Sequence, residues 1–72
     1  MGNNKLLLLA HQILEIRKLK GLPDQQTALQ KAIKERNKLL REVSPEEIRQ
    51  TGYLTIQEKP DVLRLQQEIL NQ

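Results

Sequence analysis

Hydrophobic residues recur at helical spacing along the first part of the chain, which predicts a helix from Lys5 to Lys20. At about 100° per residue, one face of this helix carries five apolar residues. This face is formed by Leu6, Leu9, Ala10, Ile13 and Ile16. Leu7 and Leu14 widen it, whereas Leu8 and Leu19 fall on the opposite side. A helix that is apolar almost all round requires burial from two sides, and in so short a chain this favours a second subunit.

Helix boundaries are marked by capping residues and by the Gly-Leu-Pro segment that follows the first helix. Asn3 or Asn4 is the expected N-cap of the first helix. Gly21 is expected to end it in a left-handed conformation, and Pro23 fits the first turn of the next helix. The second helix is predicted from Asp24 to Val43. The short connection predicts an antiparallel helical hairpin.

The second helix has its own apolar stripe, flanked by Ala28 and Leu39 on one shoulder. The stripe consists of Leu29, Ala32, Ile33, Leu40 and Val43. After it, Ser44-Pro45-Glu46-Glu47 has the pattern of a capping box with proline in the first turn, so a short helix is predicted to end near Thr51. Gly52 is the expected residue after its C-cap.

The remaining residues predict an extended connector, Tyr53 to Ile56, and a last helix that Pro60 opens and that runs to Leu70. This helix has one apolar face, which comprises Val62, Leu65 and Ile69, with Leu63 and Leu70 extending it. The sequence thus predicts an all-α fold in a single small helical domain, residues 1–72. A long antiparallel hairpin, a short capped helix and a C-terminal helix form a small bundle.

Composition narrows the choice of function. The chain has no cysteine and one histidine, His11, so we expect no metal site and no cofactor. No nucleophile–base pair or phosphate-binding loop is evident, and we expect no enzymatic activity. The longest apolar run, Leu6 to Ala10, is far shorter than the roughly 20 residues that cross a bilayer. The cysteine-free composition fits a cytoplasmic protein.

Basic residues are concentrated in the first 43 positions, where nine basic and four acidic residues give a net charge of +5; the rest of the chain carries −2. Four basic residues form a stripe on the side of the second helix opposite its apolar residues. This basic stripe consists of Lys31, Lys34, Lys38 and Arg41. Such a stripe is typical of a solvated helix face, and it is also suited to follow nucleic-acid phosphates. No aromatic residue accompanies it to stack on bases.

Two polar or amphipathic residues have alternative interpretations. Arg36 lies within the apolar arc of the second helix, so either its stem covers apolar surface or it pairs with an acid and fixes a partner. Tyr53 either fills the end of the bundle or anchors an interface.

The favoured function is a protein–protein interaction module, a regulatory or assembly factor that binds a larger protein or itself through apolar helix faces. The candidate interface residues are Leu8, Leu19, Arg36, Tyr53, Leu63 and Leu70. The alternative is a nucleic-acid-binding transcriptional regulator that uses the basic stripe. Because the apolar arcs exceed what one small core needs, we expect a homo-oligomer or a complex with another protein.

Overall fold

The computed structural model describes residues 4–72, which form four α-helices. They are α1 (Asn4–Leu19), α2 (Gln26–Glu42), α3 (Pro45–Gln50) and α4 (Glu58–Leu70). No strand occurs within these residues. Helices α1 and α2 pack against each other along the hairpin, while α4 packs against α2 and α3. The all-α prediction and the predicted small bundle are confirmed.

The apolar face predicted for α1 is the face that enters the core. Leu6, Leu9 and Ile16 are buried, and Leu9 is fully inaccessible to solvent. The prediction that Leu7 and Leu14 widen this buried face is wrong, because they are 38% and 47% exposed. Helix α2 covers only one side of α1, so the flank that carries these two leucines faces solvent.

The two ends of α1 differ from the expected caps. Asn4 already belongs to the helix, and the other expected cap, Asn3, lies outside the described residues. Gly21 has no positive φ. Its N–H donates to the Lys18 carbonyl at 3.3 Å, and the N–H of Leu22 donates to the Leu19 carbonyl at 3.0 Å. Because these tight turns already satisfy the last carbonyls of α1, no left-handed residue is required.

The loop after α1 also contains Pro23. Helix α2 begins at Gln26, so Pro23 lies in the loop and not in the first helical turn. The helix is consequently two residues shorter at its start than the sequence predicts, and Asp24 remains outside it.

Helix α3 begins with the predicted capping box. The Ser44 hydroxyl accepts the Glu47 N–H at 3.1 Å, and the Glu47 carboxylate accepts the Ser44 N–H at 2.8 Å. The helix ends at Gln50, and Gly52 does not adopt a positive φ. Its last carbonyls are satisfied instead by local and long-range donors, including the Lys59 ammonium on the Arg49 carbonyl at 2.8 Å.

Helix α4 begins two residues before Pro60, and the turn that leads into it has the reciprocal bonds of a second capping box. The Thr55 hydroxyl accepts the Glu58 N–H at 3.0 Å, and the Glu58 carboxylate accepts the Thr55 N–H at 2.9 Å. The Thr-x-x-Glu spacing is the same as in the box before α3. Pro60 is the third residue of α4 and lies in its first turn, where proline is tolerated.

A buried glutamine joins α4 to the end of α2. Gln66 is 2% exposed, and its amide donates to the carbonyls of Leu40 at 2.9 Å and Val43 at 2.8 Å. These carbonyls lie in or next to the last turn of α2, where helical partners are missing. The N–H that would reach Leu40 from four residues on belongs to Ser44, and the capping box of α3 uses it. Gln66 therefore donates to two carbonyls that have no helical N–H partner because the chain changes direction after Val43.

The hydrophobic core is shared by all four helices and the connector before α4. Its buried members are Leu6, Leu9, Leu39, Leu40, Val43, Ile48, Leu54, Val62 and Ile69. Leu54, in the connector, enters this core, whereas its neighbour Tyr53 remains 56% exposed. The interpretation of Tyr53 as a residue that fills the end of the bundle is therefore wrong, because more than half of its surface is exposed.

Candidate functional site: an apolar patch and an arginine-lined cavity

Three large, exposed apolar side chains lie together on the outer flank of α1. Leu7 and Leu14 are seven residues apart, so they share a face of the helix about 10 Å apart along its axis. Tyr53 comes from the connector before α4 and is the most exposed of the three. We call Leu7, Leu14 and Tyr53 the α1 patch. They line one shallow groove of about 250 Å³.

The polar border of this groove is small. Ala10 and Leu54 form its apolar floor, and the polar residues along it are His11 and Glu58. Glu58 is held by Thr55 and by Arg17, whose guanidinium lies 3.1 Å from its carboxylate. The hydrogen bond from the backbone N–H of Thr55, with a smaller contribution from the charge of Arg17, lowers the pKa of Glu58 below its ordinary value. The groove thus has an apolar floor, and the Glu58 carboxylate at one end is paired with Arg17.

The predicted interface residues do not form one surface. Among them, Tyr53 belongs to the α1 patch, while Leu8 is 48% exposed on α1 and does not line the groove of this patch. Leu19 is partly buried in a groove between α1 and α2. Leu63 and Leu70 line a groove with α3, but Leu63 is partly buried against the core and Leu70 is 55% exposed.

Leu7 and Leu14 are not among the candidate interface residues of the sequence, because their position assigns them to the buried face. The sequence nevertheless indicates an exposed apolar flank on α1. Its apolar arc is wider than one partner helix can cover, so part of the arc must remain exposed. Which flank is exposed depends on where α4 packs, and periodicity alone does not determine this.

Arg36 lines a cavity of about 220 Å³ where α1, α2 and α4 meet. Its Nε and Nη2 atoms donate to Asn37 Oδ1 at 3.1 and 3.0 Å, and no carboxylate pairs with it within residues 4–72. Burial lowers the pKa of this guanidinium below its ordinary value. The pairing with an acid, which one of the two interpretations of Arg36 expects, is therefore not seen within these residues of the chain.

The basic stripe on α2 lies in solvent, as the sequence predicts. All four side chains are exposed, and none makes an ion pair within the described chain. Glu35 interrupts the stripe and is exposed as well. This arrangement is compatible with a solvated helix face and with a surface that contacts phosphates.

Other kinds of site are not evident in residues 4–72. No cluster of three or more histidine, cysteine or acidic residues is positioned to hold a metal ion there. His11 lies exposed on α1 beside the α1 patch. In the same part of the chain, no helix has the length and apolar character needed to cross a membrane.

Comparison of the chain with protein-family models, with curated proteins and with solved structures finds no match.

Proposed function

We propose that this protein is an interaction module that binds another protein, or a second copy of itself, through the α1 patch. The observation that carries this proposal is the grouping of Leu7, Leu14 and Tyr53 in one groove on a chain whose core is formed elsewhere. Scattered exposed leucines are ordinary on a protein surface, whereas adjacent ones are typical of interaction sites. Acting on a larger protein, such a module is a regulatory or assembly factor. The cysteine-free composition favours a cytoplasmic site of action.

Tyr53 supports this proposal because tyrosine is enriched among the residues that dominate binding energy. Its ring offers a large contact area, and its hydroxyl accommodates a polar partner at the rim of an interface. Leu7 and Leu14 present a two-turn stripe, which is the pattern by which a helix packs into an apolar groove.

The test replaces the three patch residues together with polar ones: Leu7→Gln, Leu14→Gln and Tyr53→Ser. A matched control carries Leu22→Gln and Ile56→Gln, which are 50% and 85% exposed and lie outside the groove. Sedimentation equilibrium at tens of micromolar, and affinity capture from the native host, are then compared for the two variants and the wild type.

We expect the wild type and the control to form a homo-oligomer, or to capture the same partner, and the patch variant to do neither. Helicity measured by circular dichroism should be unchanged in both variants, because the replaced side chains are exposed. A wild type that sediments as a single 8.4 kDa species and captures nothing that the patch variant loses contradicts the proposal.

The second candidate function is nucleic-acid binding through the basic stripe, which is favoured by the exposure of all four side chains without an ion pair among the described residues. Replacing the four residues with glutamine preserves helix propensity. If the basic stripe binds phosphates, this variant loses orders of magnitude in affinity for duplex DNA. The slope of log affinity against log salt concentration then becomes shallower by up to roughly four. The interaction-module proposal instead expects partner binding to persist in this variant.

A further inference from the structure

The cavity beside Arg36 combines an apolar interior with an excess of positive charge. Its apolar walls come from α1, α2 and α4, and they consist of Ile13, Ile16, Leu40, Val62 and Leu65. Its charged residues are Arg17, Lys20, Arg36 and Asp61. The cavity lies apart from the α1 patch, since the two share none of their lining residues.

Two of these four charged residues have ion-pair partners outside the cavity. Arg17 lies 3.1 Å from the Glu58 carboxylate, and Asp61, which is largely exposed, lies 3.9 Å from Arg64. Lys20 and Arg36 make no ion pair with any described residue. An anion inside the cavity therefore meets two cations that no carboxylate of residues 4–72 neutralises.

Arg36 is the more important of the two because it is half-buried. Removing a guanidinium from water costs free energy that is recovered only through pairing and hydrogen bonding. Asn37 Oδ1 accepts from two of its donor atoms, Nε and Nη2, and the fork of an arginine has donors to spare for a carboxylate. A carboxylate placed here gains more than it does in water because the apolar walls lower the local dielectric constant.

We propose that this cavity binds a small aliphatic carboxylate, with its hydrocarbon chain on the apolar walls and its carboxylate on Arg36 and Lys20. The volume of about 220 Å³ sets the size of the ligand. An apolar cavity of about 150 Å³ holds a benzene molecule, so a chain of about six to eight carbons fits here. The cavity is smaller than the roughly 300–1,000 Å³ of sites for drug-sized ligands, so a short chain matches it better than a long-chain lipid or a nucleotide does. This ligand site does not depend on the protein–protein function proposed above.

The experiment titrates the full-length ¹⁵N-labelled protein with sodium octanoate and follows amide resonances. Octanol and acetate are the two comparison ligands, because one lacks the charge and the other lacks the chain. We expect saturable shifts around Ile13, Val62 and Leu65 with octanoate, and at least about tenfold weaker binding of both comparison ligands. Equal binding of octanol, or octanoate shifts centred on the α1 patch, overturns the proposal.

The variants test the two cations. Arg36→Gln should weaken octanoate binding by about tenfold or more, since a charged hydrogen-bonded contact is lost. The matched control is Arg41→Gln, an exposed arginine of the same helix that does not line the cavity, and it should bind as the wild type does. If Arg36→Gln fails to fold, Lys20→Gln replaces an exposed side chain and should weaken binding by about twofold or more. Unchanged affinity in a folded Arg36→Gln, or in Lys20→Gln, contradicts the assignment.

Discussion

The hairpin and the C-terminal region are held together by different chemistry. Between α1 and α2 the contacts are mainly apolar, with one ion pair between exposed side chains, Lys5 and Glu42, at 3.5 Å. Helix α2 has no side-chain hydrogen bond at its N-cap, and the side-chain hydrogen bonds formed within the hairpin join the neighbours Arg36 and Asn37. The region from Ser44 onward has two capping boxes and a lysine on a helix-terminal carbonyl. Packing thus defines the hairpin, whereas specific hydrogen bonds define where α3 and α4 begin.

The hairpin also carries a group of exposed leucines on one helix. Apolar contact is non-directional, so a helix held mainly by packing can carry more apolar surface than its own fold uses. Helix α1 does so, and its excess is exposed at Leu7, Leu8 and Leu14. In the C-terminal region many polar groups are bonded to the backbone, and this region contributes Tyr53 to the α1 patch.

The largest expected effect tests whether packing holds the hairpin. Leu40 is fully buried on α2, and Leu40→Ala should lower the free energy of unfolding by about 2–5 kcal/mol. Because the core of so small a domain supplies only about 3–5 kcal/mol, much of the variant should be unfolded at room temperature. Urea denaturation followed by circular dichroism measures this change. Leu14→Ala, on the exposed flank of α1, is the control and should cost less than about 0.5 kcal/mol. A similar loss in both variants contradicts the separation of core and patch.

The next effect concerns the hydrogen bonds that join the two regions. Gln66→Leu leaves the carbonyls of Leu40 and Val43 without their donor, which should cost about 1–3 kcal/mol. Gln67→Leu is a matched control, because the neighbouring glutamine is exposed and the same side chain is introduced. Its free energy of unfolding should change by less than about 0.5 kcal/mol. A variant at position 66 that is as stable as the wild type shows that apolar packing holds α4 as it holds the hairpin.

Hydrogen bonds of this long-range kind mark the limit of what the sequence reveals. The helices, the hairpin and the Ser44 capping box are predictable because their signals lie within a few residues of one another. The burial of Gln66 is not, because its partners lie 26 and 23 positions earlier in the chain. Gly21 shows a different limit, since glycine permits a left-handed cap without requiring one.

The candidate sites also divide into those that a local sequence pattern predicts and those that depend on residues far apart in the chain. The exposure of the basic stripe follows from its position opposite the apolar residues of α2, and the structure agrees. The α1 patch requires knowledge of which flank α4 leaves open, and the cavity beside Arg36 requires three helices to be placed together. The capping box at Thr55 is the exception, because its Thr-x-x-Glu pattern is local, yet the proline at position 60 gives a competing signal for the start of α4.

The two capping boxes provide a third comparison within the C-terminal region. Ser44→Ala and Thr55→Ala each remove the hydroxyl that accepts a free N–H in the first turn of a helix, and each should cost about 1 kcal/mol. Chemical denaturation measures both variants. The control is Thr27→Ala, in the first turn of α2, where no side-chain cap is present and the loss of the hydroxyl should have little effect. A midpoint unchanged by Thr55→Ala would mean that Pro60 alone defines the start of α4.

The smallest effect links the two regions through the ion pair between Arg17 of α1 and Glu58 of α4. Glu58→Gln keeps an oxygen that accepts the Thr55 N–H and removes the charge, so the loss at neutral pH should be under about 1 kcal/mol. Folding lowers the pKa of Glu58 below its ordinary value of 4.5, which applies in the unfolded chain. The ionised carboxylate therefore stabilises the fold above pH 4.5, and this contribution is lost as the pH falls through the pKa of the folded state. The stability difference between wild type and Glu58→Gln, measured by urea denaturation from pH 7 to pH 2, should therefore shrink towards zero at the acidic end. In an Arg17→Gln background, Glu58→Gln should lower the free energy of unfolding by less at pH 7, since the partner charge is gone. If the loss of stability caused by Glu58→Gln is the same at every pH and in both backgrounds, Glu58 acts through its hydrogen bond alone.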